Sequence, residues 1–240
     1  MSALDRQPQE FDAYSNSYDA HVNAALSFSG LDVDFFTKVK AAYIQEILSK
    51  TFGSTKVDVL DVGCGIGNYH PLLRPELNRL CGVDISNESL KTAAERNQQV
   101  EYSHFDGTNL PFPDATFDAA FAICVYHHVP ILSRASLTRS VRRVLRPGGI
   151  FMIFEHNPRN PLTMRVVNRC EFDRDAILLK NEEAESLLSQ ESFTNVESRH
   201  ILTVPSFNKA TRVVDQLFSG LRLGAQYYTS GRVPVDMTRI

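Results

Sequence analysis

The sequence predicts an α/β protein built on a doubly wound sheet, and three observations carry that prediction. Short apolar or β-branched runs recur at 57–62, 80–85, 100–104, 117–126 and 150–155, most of them apolar on both faces, as strands covered by helices must be. Segments with helical spacing, such as 86–97 and 133–144, alternate with these runs. The first run, VDVLDV, passes straight into the glycine-rich turn GCGIGN, the kind of strand-end turn at which such sheets bind ligands.

Each element has its own signal. FDAYSNSYDAHV (11–22) places Tyr14 and Tyr18 four apart, on one helix face with Phe11 nearby. DVDFFTKVKAAYIQEIL (32–48) reads as an amphipathic helix that packs on the sheet and carries no chemistry. The stretch after the glycines reads as a helix opening. LCGVDI is the second strand, and Ser86 after it is a good N-cap for the helix over 86–97. RPGG (146–149) is the expected stop between the helix over 133–144 and a central buried strand. Beyond Glu155 the order is a Pro- and Arg-bearing segment (156–175), a helix near 182–190, a strand near 196–204, a helix near 209–219 and a last strand, AQYYTS (225–230). No internal repeat or linker interrupts the chain, so residues 1–240 read as one domain.

Composition narrows the function classes. A chain of 240 residues with a formal charge of -3 offers no basic footprint for nucleic acid. The amino-terminal residues carry charges and no apolar run, and no later stretch is long enough to span a bilayer, so neither a signal peptide nor membrane insertion is expected and the location reads as cytoplasmic. Cys64, Cys81, Cys124 and Cys170 have no C-x-x-C spacing, which disfavours structural zinc and a disulfide framework; they read as reduced, mostly packed thiols, and no metal site is expected. The oligomeric state is not legible.

The turn itself discriminates between ligands. Glycines at a strand end bring bare backbone close to a ligand, and Asp84, at the tip of the second strand, stands where a carboxylate can take both hydroxyls of a ribose. Asp61, just before the glycines, would repel a pyrophosphate but favours a ligand that carries an ammonium group. Asn68 also stands at the place of the third glycine of the dinucleotide pattern. Together these favour S-adenosylmethionine over NAD.

VLDVGCGIGNY, CGVDIS, FDGTNLPFPDATFDAAFAICVYHHV and VLRPGGIFMIFEHNP resemble the successive motifs of class I S-adenosylmethionine-dependent methyltransferases, in the branch of ubiquinone/menaquinone-type and small-molecule enzymes. The resemblance covers roughly 11–156 and implies a Rossmann-like, seven-stranded sheet with an antiparallel last strand. It implies that Asp61, Gly63 and Gly65 hold the methionine part, that Asp84 holds the ribose with Ile85 flanking the adenine, and that Asp106, with Gly107, contacts the adenine amine, with Cys64, Asn68 and Cys124 as further cofactor-binding candidates. It also implies an amino-terminal helical lid (1–50), in which Tyr18 contacts the cofactor and Tyr14 the substrate, and a cap after the fifth strand (157–180).

Methyl transfer asks the protein to align a nucleophile with the methyl group and, for a hydroxyl, to remove a proton. Bases must then lie at the carboxyl ends of the fourth and fifth strands: His127, His128 and Glu155 are the candidates, with His156 and Asn157 as acceptor contacts. Arg165 and Arg169 in the cap could fork an anionic acceptor; the alternative is that Arg159, Arg165, Arg169 and Arg174 are solvated and pair with Glu171 and Asp173. The expected function is methyl transfer to a small-molecule acceptor, most simply at a hydroxyl. Two alternatives stay open: a noncatalytic member of the fold working through a protein partner, and another adenosine-cofactor transferase.

Overall fold

The computed structural model describes residues 32–170, 173, 176–204 and 208–235. Tyr14, Tyr18, Glu171 and Arg174 lie outside the described residues.

Seven strands form one sheet: β1 (Asp58–Val62), β2 (Arg79–Asp84), β3 (Glu101–His104), β4 (Phe117–Ile123), β5 (Leu145–His156), β6 (Thr194–Ile201) and β7 (Gln226–Arg232). Their order is β3-β2-β1-β4-β5-β7-β6. β1 pairs in parallel with both β2 and β4, whereas β7 runs antiparallel between β5 and β6. The expected sheet and its antiparallel last strand are therefore present. The strand order reverses direction at β1, between β2 and β4, which opens a crevice at the carboxyl ends of the strands.

The helices are α1 (Val33–Phe52), α2 (His70–Leu73), α3 (Asn87–Arg96), α4 (Ile131–Val144), α5 (Pro161–Val167), α6 (Asn181–Gln190) and α7 (Lys209–Leu217). Ser86 caps α3 as its position predicts, its hydroxyl accepting from Ser89 N at 3.0 Å. Asp32 caps α1 in the same way through Phe35 N. Two expectations shift. The helix after the glycine turn is a single α turn that runs into a 3-10 turn at Arg74–Glu76, because Pro75 removes a backbone donor and resets the chain. RPGG is not a stop: β5 begins at Leu145, opposite Phe117, and a register shift in the β4 ladder absorbs the Pro-Gly-Gly stretch.

The core lies on both faces of the sheet. On one, Val39, Ile44 and Leu48 of α1 meet Val59, Phe121, Met152 and Phe154. On the other, Leu137 and Val141 of α4 and Leu188 of α6 meet Leu60, Ala120, Phe151 and Ile153. Strands buried on both faces read as continuous apolar runs, which is why β4 and β5 were legible. Buried Asp215 of α7 ties the periphery down: its carboxylate accepts from Tyr43 Oη at 2.8 Å and from the backbone N–H groups of Leu202, Thr203 and Val204.

The two rims differ from the centre. β3 has only four residues, and Glu101 on it takes a bidentate ion pair from Arg79. β6 carries Glu197 and Arg199 and a register irregularity between Thr194 and Glu197.

Candidate active site

The glycine turn leaves β1 at Val62 and doubles back over the end of β2. Gly63 and Cys64 both donate their N–H groups to Val83 O, at 2.8 and 2.9 Å. Gly63 has φ +74, and a Cβ there would come within 2.5 Å of Val125 Cγ2; at Gly65, φ +51, a Cβ would meet nothing within 4 Å. The first position is closed by the loop after β4, and the second faces open space where a ligand can lie against bare backbone.

Two buried carboxylates flank this turn. Asp84 accepts from Gly65 N at 2.8 Å and from Ser86 N at 2.9 Å, so it holds the turn while each oxygen keeps acceptor capacity. Asp61 pairs with His70 Nε2 at 3.0 Å, and His70 Nδ1 lies 2.6 Å from Tyr102 Oη. Burial pushes both carboxyl groups up; His70 pulls Asp61 back, and the Ser86 and Gly65 amides pull Asp84 back. A site that buries two carboxylates beside an open glycine turn suits a ligand with an ammonium group and a diol. The residues thus fit the cofactor that the sequence suggests. His70 and Tyr102 were missed, since nothing in spacing alone links them to Asp61.

The remaining cofactor candidates divide. Ile85 and Gly107 come together, a Cβ on Gly107 (φ +87) falling 3.6 Å from Ile85 Cγ2. The Asp106 carboxylate is largely spent on its own loop, accepting from Thr108 N, Thr108 Oγ1, Asn109 N and Asn109 Nδ2. Burial opposes the charge on Asp106, but these donors bring its carboxyl down to about 2. Cys64 turns its sulfur into the sheet, where a Cβ on Gly82 would sit 2.8 Å from it, so its backbone faces the turn and its side chain does not. Asn68 Oδ1 accepts from Arg96 at 3.2 Å.

At the carboxyl ends of β4 and β5 the histidines converge. His127 Nδ1 lies 2.5 Å from Glu155 Oε2, and Tyr126 N donates to Glu155 Oε1 at 2.8 Å. Glu155, 1% exposed, therefore orients His127 and does not face an acceptor itself. Asp173 of the cap places Oδ1 at 3.4 Å from His127 Nε2 and 3.5 Å from His128 Nε2. Burial disfavours charge on His127, yet Glu155 and Asp173 hold it protonated well above its ordinary range. Burial and the neighbouring His127 push His128 down to about 3. His156 stacks near His127, with ring centroids 5.5 Å apart.

Three cap expectations change. Asn157 is tied into the fold: its amide donates to Arg222 O and Gly224 O, and its Oδ1 accepts from Arg159 N. Asp173 faces His127 and His128, a pairing that the sequence reading did not include. Arg159 pairs with Glu182 at 2.9 Å. Arg165, in α5, and Arg169, after it, are exposed on the cap.

Lys40 is a buried cation beside the candidate site that the helix pattern hid. The residue is 4% exposed, and its ammonium reaches Cys124 Sγ at 3.8 Å and lies 5.8 Å from the Tyr69 ring centroid. Cys124 itself sits at φ +56 with its N–H donated to Phe154 O. Burial works against ionising this thiol, but Lys40 and His156 bring it down to about 7.

Residues 60–153 match the sequence model of a methyltransferase domain. A probable S-adenosylmethionine-dependent methyltransferase of Mycolicibacterium smegmatis is 31% identical over 124 residues, 48% of this chain and 48% of that protein. The 27-O-demethylrifamycin SV methyltransferase of Amycolatopsis mediterranei is 35% identical over 100 residues, 38% of this chain and 35% of that protein. The chain spans no more than about half the length of the curated relatives it matches. Among solved structures, a SAM-dependent methyltransferase of Thermotoga maritima, described as a possible histamine N-methyltransferase, shares the fold with a TM-score of 0.66 at 16% identity, over 94% of this chain and 98% of that one.

Proposed function

We propose, for a chain that carries a class I S-adenosylmethionine-dependent methyltransferase domain, that it transfers the methyl group of that cofactor to a small-molecule acceptor, at a hydroxyl. The observation that carries this reading is the pair of buried carboxylates, Asp61 and Asp84, on either side of the open backbone at Gly65. Asp84 would take the ribose hydroxyls, Asp61 the ammonium group, and the Ile85–Gly107 wall the adenine face. When bound there, the cofactor supplies a methyl group already activated on a sulfonium.

The chain's own work is to exclude water, align the acceptor and handle its proton. The histidine cluster at the ends of β4 and β5 stands where the acceptor would be held, with Glu155 as the positioning residue that fixes His127. The relative that acts on a rifamycin supports a small-molecule acceptor. No helix among the described residues is long and apolar enough to cross a membrane.

Calorimetry tests the cofactor site. S-adenosylmethionine and S-adenosylhomocysteine are expected to bind and NAD is not, and Asp84→Ala should weaken both ligands by about 1–3 kcal/mol through lost charge-assisted hydrogen bonds. Tight NAD binding, or an unchanged affinity in the variant, contradicts the reading. Transfer of a labelled methyl group to members of a metabolite panel then identifies the acceptor.

A further inference from the structure

Three donors meet at one point between the loop after β4 and the cap. His127 Nε2 and His128 Nε2 lie 3.4 and 3.5 Å from the same oxygen, Asp173 Oδ1, and all three ligating atoms fall within 4.8 Å of one another. Tetrahedral zinc sites have bonds of about 2.1 Å, which puts ligand atoms roughly 3.4 Å apart. The separations on Asp173 Oδ1 are those of a ligand shell.

Two independent features point to an ion. His127 Nε2 is buried and aims at the junction, where its 3.4 Å approach to Asp173 Oδ1 is an ion-pair distance without hydrogen-bond geometry. Its other nitrogen is held by Glu155, which is itself fixed by Tyr126 N. A carboxylate on the far nitrogen of a ligating histidine sets the tautomer and raises ligand basicity, a recurrent outer shell of protein metal sites. The cap is also tied to the loop at this place, since Ile177 N donates to His127 O at 3.0 Å and Arg134 donates to Ile177 O at 2.7 Å.

We infer that His127, His128 and Asp173 form a binding site for a divalent transition-metal ion of the zinc class, with Glu155 as the outer-shell residue. The ion joins the cap to the sheet, and three protein ligands leave a tetrahedral ion one open position. The site stands on its own geometry and departs from the expectation of no metal, which rested on cysteine spacing. Its use, lowering the pKa of an acceptor hydroxyl bound at the open position, rests on the methyltransferase reading above.

The test uses the full chain, freed of metal by a chelator and titrated with zinc chloride or cobalt chloride. One equivalent should bind, with cobalt giving the intense visible absorption of a tetrahedral site. His128→Ala and Asp173→Asn should each lose stoichiometric binding, and Glu155→Gln should weaken it by about 10–100-fold. S-adenosylmethionine titrations on the same variants report folding and the cofactor site separately. A wild type that takes up no equivalent of either metal, or an Asp173→Asn variant that binds zinc as well as wild type, overturns the metal site. Loss of cofactor binding in the wild type would instead overturn the methyltransferase reading and leave the metal result standing.

Discussion

Cys124 ends β4 in a left-handed backbone conformation, with the Lys40 ammonium against its sulfur and His156 beside it. The thiol therefore ionises near neutral pH, so its alkylation by iodoacetamide should rise with pH through a midpoint of about 7. Lys40→Met removes the cation and should move that midpoint up, toward the ordinary cysteine value of roughly 8.5. Pseudo-first-order rates across the pH range, with Cys64, Cys81 and Cys170 each replaced by Ser in turn to assign the signal, check it. A midpoint that stays in place in the lysine variant contradicts the pairing. Asp61 and Asp84 were legible as candidates because each lies at the carboxyl end of a strand, Asp61 just before the glycines and Asp84 at the tip of β2. Lys40 and Asp173 were not, since their partners lie 84 and 46 residues away along the chain in elements whose packing angle no local pattern encodes.

The element that does most for the site is the turn between β1 and α2. A left-handed non-glycine residue costs about 1–2 kcal/mol, and forcing a Cβ against Val125 adds about 1–3 kcal/mol, so Gly63→Ala should lower stability by the sum and weaken cofactor binding. Val125→Ala in the same chain should recover the steric share and leave the backbone share, which denaturant unfolding of the two variants resolves. Ser86→Ala tests the next element, with an expected loss of about 0.5–2 kcal/mol from the α3 cap. Elements were legible where one residue type does one job: Ser86 as a cap, apolar runs as buried strands. They were misread where two signals compete. Pro75 cut α2 short within an otherwise helical stretch, and Pro147 with two glycines suggested a break that the β5 ladder carries as a register shift.

At the scale of the whole molecule, the described elements begin with α1, so removing residues 1–28 leaves all of them in the chain. That variant should unfold cooperatively, because the core on both faces is intact, and should lose turnover if the aromatic segment at 11–22 closes the site as the family resemblance implies. Circular dichroism melts and a labelled-methyl assay separate the two outcomes, and full activity in the shortened chain contradicts the lid. The doubly wound class of the sheet was legible from the alternation of strands and helices, and its antiparallel last strand only through the family resemblance, whereas the cap had no repeating pattern to read.

The contrast between the centre and the rims of the sheet bears on how the protein survives at high concentration. An exposed strand invites another copy to add to it, and long, flat, apolar edges are where β-proteins coalesce. Here one border is a four-residue strand with a charged pair upon it, and the other is kinked by its register irregularity and carries charges of both signs. Neither offers a straight template. The strongly apolar strands that would be hazardous if uncovered, β4 and β5, are the ones the order places in the interior, so the same topology that builds the crevice also keeps neighbouring molecules from zipping together.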